Sequence, residues 1–289
     1  MKGIYSALIC SFDEEGNINE KGLREIIRYN LDLNEVDGLY VNGSSGENFM
    51  LSTEQKKEIF RITKDEVEND VNLIAQIGSL NLKESIELGQ YVTELGYNAV
   101  SAVTPFYYPF DFEEVKDYYF TILESVDNDM IIYSIPALTG VNMTLDQFDE
   151  LFEHPKVIGV KFTAPDFYLL ERLRSTYPEK LIYSGFDEML LPASVMKIDG
   201  AIGSTFNVNG KCAKQIFEHG RNGEIDKAYD IQKDTNDLIT EILGNGLYQT
   251  IKELLKTKGV DAGYCKKPLK RLDDEAVENA KRIAERHMK

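Results

Sequence analysis

The feature that most constrains the fold is a regular alternation of strand-like and helix-like segments along residues 3–218. The predicted strands are short apolar runs, and the segments between them are amphipathic. The strands cover residues 3–12, 38–42, 72–77, 99–104, 130–135, 157–163, 181–184 and 200–203. The helices cover residues 20–33, 53–68, 82–95, 112–126, 145–152, 167–177, 187–197 and 210–218. Eight successive β–α units predict an α/β protein, a closed (β/α)8 TIM barrel of parallel strands.

An open, doubly wound sheet is the alternative arrangement of such units. It usually carries a glycine-rich, nucleotide-binding turn after its first strand. Here the first predicted strand is followed by Asp13-Glu14-Glu15-Gly16, whose carboxylates are unsuited to a phosphate group. The closed barrel is therefore the preferred prediction.

The end of the chain has a purely helical pattern. Residues 224–289 are interrupted only at the glycine-containing stretches 244–246 and 259–268. No linker or low-complexity segment precedes them. We therefore expect a barrel region at residues 1–223 and a C-terminal helical extension at residues 224–289, packed together as a single domain.

The composition limits the possible partners. Asp and Glu total 49 against 32 Lys and Arg, which gives a formal net charge of −17. This charge disfavours nucleic acids and anionic membranes, although a local pocket can still bind an anionic small molecule. No apolar run approaches the roughly 20 residues of a membrane-spanning helix, and the N-terminus shows no signal-peptide pattern. The three cysteines form no CxxC pair, so we expect reduced thiols in a cytoplasmic protein.

Lys161 is the most unusual residue of the predicted strands, because it interrupts the apolar run at residues 157–163. Burying an unpaired ammonium group costs several kcal/mol, so such a lysine tends to lose its proton. A neutral amine can then form a Schiff base with a ketone. Strand alternation predicts that Lys161 shares the inner face with Gly159 and Thr163, and that Ile158 lies on the outer face. A lysine that reaches a carboxylate or solvent is the other interpretation.

The residues at the ends of the predicted strands are candidates for chemistry, because (β/α)8 enzymes carry their active sites there. The second strand ends in Gly43-Ser44-Ser45-Gly46-Glu47, whose hydroxyl and backbone N–H groups could cradle a carboxylate. The fifth ends in Tyr133-Ser134-Ile135-Pro136, where a tyrosine hydroxyl could relay protons. An ordinary Gly-Ser loop and a half-buried structural tyrosine remain the alternatives.

Three further strand ends carry polar or aromatic groups. The seventh ends in Gly185-Phe186-Asp187-Glu188, which could bind a polyol or a metal, or could cap the next helix. The eighth ends in Gly203-Ser204-Thr205, a small polar set suited to a sugar. The aromatic loop Thr104-Pro105-Phe106-Tyr107-Tyr108-Pro109 could cover a site, reach a neighbouring subunit or simply pack locally. No predicted strand ends in histidine, which argues against a histidine metal site or a Ser-His-Asp triad.

Four of these segments together resemble the pyruvate-dependent class I aldolases, the family that includes N-acetylneuraminate lyase and dihydrodipicolinate synthase. They are residues 43–47, 133–136, 159–161 and 203–205, which match in order and spacing, and the resemblance covers essentially the whole chain. Leu138 stands where the synthase typically has an arginine, and residues 185–188 resemble the sugar-binding stretch of the lyases. Ser45 departs from the threonine that is common in lyases, but it keeps the hydroxyl group.

The resemblance implies reversible cleavage of N-acetylneuraminate to N-acetylmannosamine and pyruvate, with Lys161 as the Schiff-base residue and Tyr133 as the proton carrier. It further implies that Ser44 and Ser45 hold the substrate carboxylate. The residues implied to bind the sugar chain are Thr163, Gly185, Asp187, Glu188 and Ser204. The resemblance also implies that no metal or organic cofactor is needed, and that Tyr107 reaches the neighbouring subunit's site in a homotetramer.

Two alternatives stay open on the sequence. The first is another aldolase of the family, either a 2-keto-3-deoxy sugar acid aldolase or dihydrodipicolinate synthase. Leu138, Asp187 and Glu188 argue against the synthase. The second is a barrel that binds a sugar acid as a sensor without catalysis. The presence of both Lys161 and Tyr133 argues against a sensor, which would not need a reactive amine.

Overall fold

Eight parallel strands form a closed barrel in the computed structural model, which describes residues 1–288. Each strand pairs with the next in chain order, and β8 closes the barrel on β1. The strands are β1 Gly3–Ala7, β2 Gly38–Val41, β3 Asn72–Gln76, β4 Ala99–Val103, β5 Met130–Ser134, β6 Val157–Phe162, β7 Leu181–Ser184 and β8 Gly200–Gly203. The predicted (β/α)8 fold is confirmed. β1 ends five residues earlier than predicted, because residues 8–12 remain buried after leaving the sheet, and a hydrophobic pattern reports burial rather than strand pairing.

Helices follow the strands around the outside of the barrel. They are α1 Glu20–Arg28, α2 Thr53–Val67, α3 Leu82–Glu94, α4 Phe112–Ser125, α5 Pro136–Thr139, α6 Leu145–Phe152, α7 Phe167–Thr176, α8 Leu190–Val195 and α9 Phe206–Arg221. Three more helices follow, α10 Ile225–Asn245, α11 Leu247–Thr257 and α12 Asp274–His287. The start of α2 is fixed by a capping box, in which the Ser52 hydroxyl accepts from the Gln55 N–H and the Gln55 side chain accepts from the Ser52 N–H. Within residues 1–288, none of the helices is long and apolar enough to cross a membrane.

The core consists of two layers separated by the barrel wall. The inner layer fills the barrel and includes Tyr5, Tyr40, Tyr133 and Tyr183. The outer layer packs the strands against the helices. Ile158 packs against the inner layer, so its predicted outward orientation is wrong. The reason is an irregularity in the β5–β6 pairing, where the register shifts between Met130 and Ile131 and interrupts the alternation.

The C-terminal helices reach the same end of the barrel as the strand-end loops. Helix α10 packs against α8 and α9 and against the short 3-10 turn Asp187–Met189 that follows β7. The Gln232 side chain on α10 donates to the Asp187 carbonyl at 3.3 Å and accepts from the Leu191 N–H at 2.9 Å. These bonds hold the β7–α8 loop in place.

Candidate functional site

The Lys161 amine lies inside the barrel between two aromatic rings. Its Nζ is 3.8 Å from the centroid of the Tyr133 ring on β5 and 4.4 Å from that of Tyr40 on β2. Only 4% of Lys161 is exposed to solvent. Burial lowers the pKa of Lys161 from 10.5 to about 7, and the negative charge of Asp187 acts in the opposite direction. Since desolvation outweighs this attraction, a large fraction of the amine is neutral at neutral pH.

Asp187 is the acidic group of the site, and it is fixed by residues of the neighbouring loop. Its Oδ2 accepts from the Thr205 N–H at 2.9 Å and from the Thr205 hydroxyl at 2.7 Å. Burial raises the pKa of Asp187 to about 6, although the two Thr205 hydrogen bonds lower it. A Cβ on Gly203 would lie 2.2 Å from the Asp187 Oδ1. The carboxylate therefore occupies a space that exists only because residue 203 has no side chain.

Tyr133 supplies a buried phenol next to the amine. Burial raises the pKa of Tyr133 to about 12, while the hydroxyls of Ser44 and Thr163 lower it. Thr163 Oγ1 is buried and makes no hydrogen bond of good geometry within residues 1–288. A Cβ on Gly185 would lie 1.9 Å from this oxygen. Apart from its contact with the Tyr133 phenol, this hydroxyl is available to bind a ligand.

A short turn after β2 carries two more hydroxyls. Residues Ser44–Gly46 form a single 3-10 turn that begins at Gly43. The hydroxyls of Ser45 and Ser204 lie 2.6 Å apart, which joins the ends of β2 and β8, the two strands that flank β1. Ser44 also lines a cavity of about 190 Å³ whose other walls include Phe49, Phe106 and Leu138.

Glu188 borders this cluster, where its charge helps to raise the pKa of Asp187, and Tyr107 lies away from it. Glu188 is half-buried in the turn after β7, and its carbonyl accepts from the Asn236 side chain at 3.2 Å. Tyr107 is 82% exposed, and its ring packs edge-on against Tyr108 with centroids 5.1 Å apart. The chain thus brings Lys161 together with Tyr133 and Asp187, but it leaves Tyr107 pointing outward.

The sequence pattern did not single out Tyr40, and it placed Thr205 in a polar set suited to a sugar rather than beside Asp187. Tyr40 contacts the Lys161 amine and donates its hydroxyl to Ser101 Oγ at 3.0 Å. Thr205 holds the Asp187 carboxylate. The sequence did carry a signal for Tyr40. It lies in a predicted strand two residues after Gly38, and strand alternation places both residues on one face, which for Tyr40 is the inner face of the barrel.

The arrangement can perform amine chemistry on a carbonyl compound. It combines a neutral nucleophile at Lys161, a high-pKa phenol at Tyr133 and a buried carboxylate at Asp187. Within the described residues, no group of three or more His, Cys, Asp or Glu side chains is arranged to hold a metal ion.

Comparison with known proteins covers the full length of the chain. Residues 1–287 match the Dihydrodipicolinate synthetase family. N-acetylneuraminate lyase from Clostridium perfringens (strain SM101) is 65% identical over 287 residues, which are 99% of this chain and 100% of that protein. The structure of CdNal from Clostridium difficile in complex with mannosamine is 67% identical, with a TM-score of 0.98 over 99% of each chain. N-acetylneuraminate lyase from Fusobacterium nucleatum complexed with pyruvate is 65% identical, with a TM-score of 0.96 over 100% of this chain and 98% of that chain.

The depressed pKa of Lys161 predicts a pH-dependent stability effect. Between pH 7 and 10.5 the unfolded lysine is protonated and the buried one is not, so the wild-type protein gains stability as the pH rises. Lys161→Met removes this pH-dependent contribution to the free energy of unfolding. The variant's free energy of unfolding should exceed that of the wild type most at pH 7, and the difference should shrink by on the order of 1 kcal/mol per pH unit up to pH 10. Urea unfolding at several pH values measures it, and a constant difference would contradict the assignment.

Proposed function

The chain belongs to the dihydrodipicolinate synthetase family, and we propose that it cleaves N-acetylneuraminate reversibly to N-acetylmannosamine and pyruvate. The observation that carries the proposal is the buried Lys161 amine, whose pKa of about 7 makes it a nucleophile at neutral pH. The relatives named N-acetylneuraminate lyase support the choice of substrate. Leu138 supports this substrate too. An apolar residue at this position does not suit the dicarboxylate substrate of dihydrodipicolinate synthase, which typically has an arginine there.

The reaction begins with attack of the Lys161 amine on the C2 ketone of the open-chain sugar acid. Loss of water gives a protonated imine, which is a better electron sink than the ketone. The C4 hydroxyl then loses its proton, the C3–C4 bond breaks, and its electron pair moves toward the imine nitrogen. C4 leaves as the aldehyde of N-acetylmannosamine. The remaining enamine is protonated at C3 and hydrolysed to pyruvate and free Lys161.

Tyr133 is the proton carrier at the C4 hydroxyl in this proposal. Its pKa of about 12 keeps the phenol protonated at neutral pH. It therefore acts as a relay, which accepts the C4 hydroxyl proton as it passes its own proton to the substrate carboxylate. Its position against the Lys161 amine, which lies 3.8 Å from its ring centroid, supports this role.

The remaining polar residues bind and orient the substrate. We assign the carboxylate to the hydroxyl and N–H groups of Ser44 and Ser45, which fixes C2 in front of the amine. The residues assigned to the sugar chain are Thr163, Gly185, Asp187, Glu188 and Ser204. The unpartnered Thr163 Oγ1 supports this assignment, because a substrate hydroxyl would satisfy it and an analogue without that hydroxyl would not.

We further propose that the protein is a homotetramer that acts in the cytoplasm. Tyr107, Tyr108 and Leu138 are 82%, 61% and 66% exposed, and a group of exposed apolar side chains marks an association surface. Tyr107 would then enter the neighbouring subunit's site. The cytoplasmic location is supported by three cysteines that are all free, as expected in a reducing compartment.

The mechanism is tested by trapping the imine. Incubation with pyruvate and borohydride should reduce the imine and attach the pyruvate skeleton to Lys161, as mapped by mass spectrometry of the digested protein. Lys161→Met should give no adduct. Labelling at another lysine, or none in the wild type, would rule out the mechanism.

The choice of substrate is tested by pyruvate release, which should be faster from N-acetylneuraminate than from 2-keto-3-deoxygluconate.

The tetramer is tested by sedimentation. The wild-type protein should have the mass of four chains, and Tyr107→Asp should lower both this mass and the activity because a charge would be placed in the contact. Tyr229→Asp, at a tyrosine that is 59% exposed on α10, is the matched control and should change neither. A monomeric wild type, or an unaffected Tyr107→Asp variant, would contradict the proposal.

A further inference from the structure

A buried ion pair attaches the turn after β2 to the C-terminal helices. Glu47 Oε1 lies 2.7 Å from the Nζ of Lys252 on α11, and the two side chains are 0% and 1% exposed. The two residues are 205 positions apart in the chain. Such a pair is favourable only when its other polar atoms are also satisfied, because both charges have lost their water.

The pair meets this condition through the segment that follows α11. Glu47 Oε2 accepts from the Lys266 N–H at 2.6 Å, and Lys252 Nζ donates to the Tyr264 carbonyl at 2.5 Å. The Phe12 ring lies against the Lys252 amine, with its centroid 5.0 Å away. Three distant parts of the chain, at Phe12, at Glu47 and at residues 252–266, therefore meet at this ion pair, and none of these contacts takes part in the imine chemistry.

Glu47 is also the residue that ends the turn carrying Ser44 and Ser45. Its N–H donates to the Ser44 carbonyl at 3.0 Å. Its φ of 62° lies in the left-handed region, which is unfavourable for a residue with a Cβ and persists only when the surroundings enforce it. The surroundings here are the contacts of its carboxylate with Lys252 and Lys266. Hence the shape of the turn depends on the C-terminal helices.

We propose that Glu47 and Lys252 are positioning residues for recognition of the substrate carboxylate. They touch no reacting atom. They hold the turn so that the Ser44 and Ser45 groups point at the carboxylate of the keto acid. This inference rests on the proposed function, in which those two serines bind that carboxylate. Its chemical consequence is selectivity for a 2-keto acid over a closely related ketone that lacks the negative charge.

The test compares borohydride trapping of pyruvate with trapping of its methyl ester. Wild-type protein should favour pyruvate. Glu47→Gln keeps the shape of the side chain but leaves the Lys252 charge without its partner, so the turn should shift. The ratio of trapping efficiencies, pyruvate over methyl ester, should fall tenfold or more, through a higher half-saturating pyruvate concentration rather than a lower limiting rate. A merely structural role would reduce trapping of both ketones equally.

A control removes one partner of an ion pair elsewhere, whose acidic member also contacts Lys2. Arg174 pairs with Asp199 at the opposite end of the barrel, where Asp199 precedes β8. Arg174→Met should leave the selectivity ratio within twofold of the wild-type value. If Glu47→Gln does not fold, the double variant Glu47→Gln/Lys252→Met carries the same test, because it buries no unpaired charge.

The outcomes separate this inference from the function on which it rests. Loss of selectivity in the Glu47 variants, with the control unchanged, supports the positioning role. A folded Glu47 variant that keeps the wild-type ratio overturns it, while the Lys161 mechanism stands. If pyruvate is not trapped even by the wild type, the proposed function fails and this inference fails with it.

Discussion

The desolvation of the Lys161 amine is the interaction on which the rest of the site depends. The barrel surrounds the amine with the rings of Tyr40 and Tyr133, and these cannot replace the hydration of a full positive charge. The charge of Asp187 favours the protonated amine, yet the pKa still falls to about 7. The balance between these two effects makes the amine nucleophilic at neutral pH, and it would keep the Asp187 carboxylate near the positive charge of the imine that we propose.

The geometry of the strand ends follows from space as much as from polarity. Asp187 and Thr163 lie where a side chain on Gly203 or Gly185 would collide with them. The glycines at the ends of β7 and β8 therefore leave room for Thr163 and Asp187 to approach the centre of the barrel. On the β2 side, the same end of the barrel is held by Glu47 and its partners in the C-terminal helices. These contacts fix the positions of the strand-end residues around Lys161, which suits a defined approach of a ligand to the amine.

Much of this organisation could be predicted from the sequence. The alternation of eight strands and helices predicts the barrel, and Lys161 stands out because a charge in an apolar strand requires a reason. The alternation did not predict the inward position of Ile158, because a register shift between strands leaves no mark in the pattern. The contact of Glu47 with Lys252 joins residues far apart in the chain, and no local periodicity reports such a pairing. Local patterns predict elements and their faces, but partners brought together by the fold need coordinates.

The most direct test of this account is the pH dependence of imine formation with pyruvate, measured in single turnovers. With the pKa of Lys161 at about 7, the rate should rise about tenfold per pH unit below pH 7 and become level above it, because the fraction of neutral amine is then close to its maximum. Asp187→Asn should move the bend to lower pH, since it removes the charge that favours the protonated amine. A rate that keeps rising to pH 10 would show that Lys161 has an ordinary pKa, and would contradict the account.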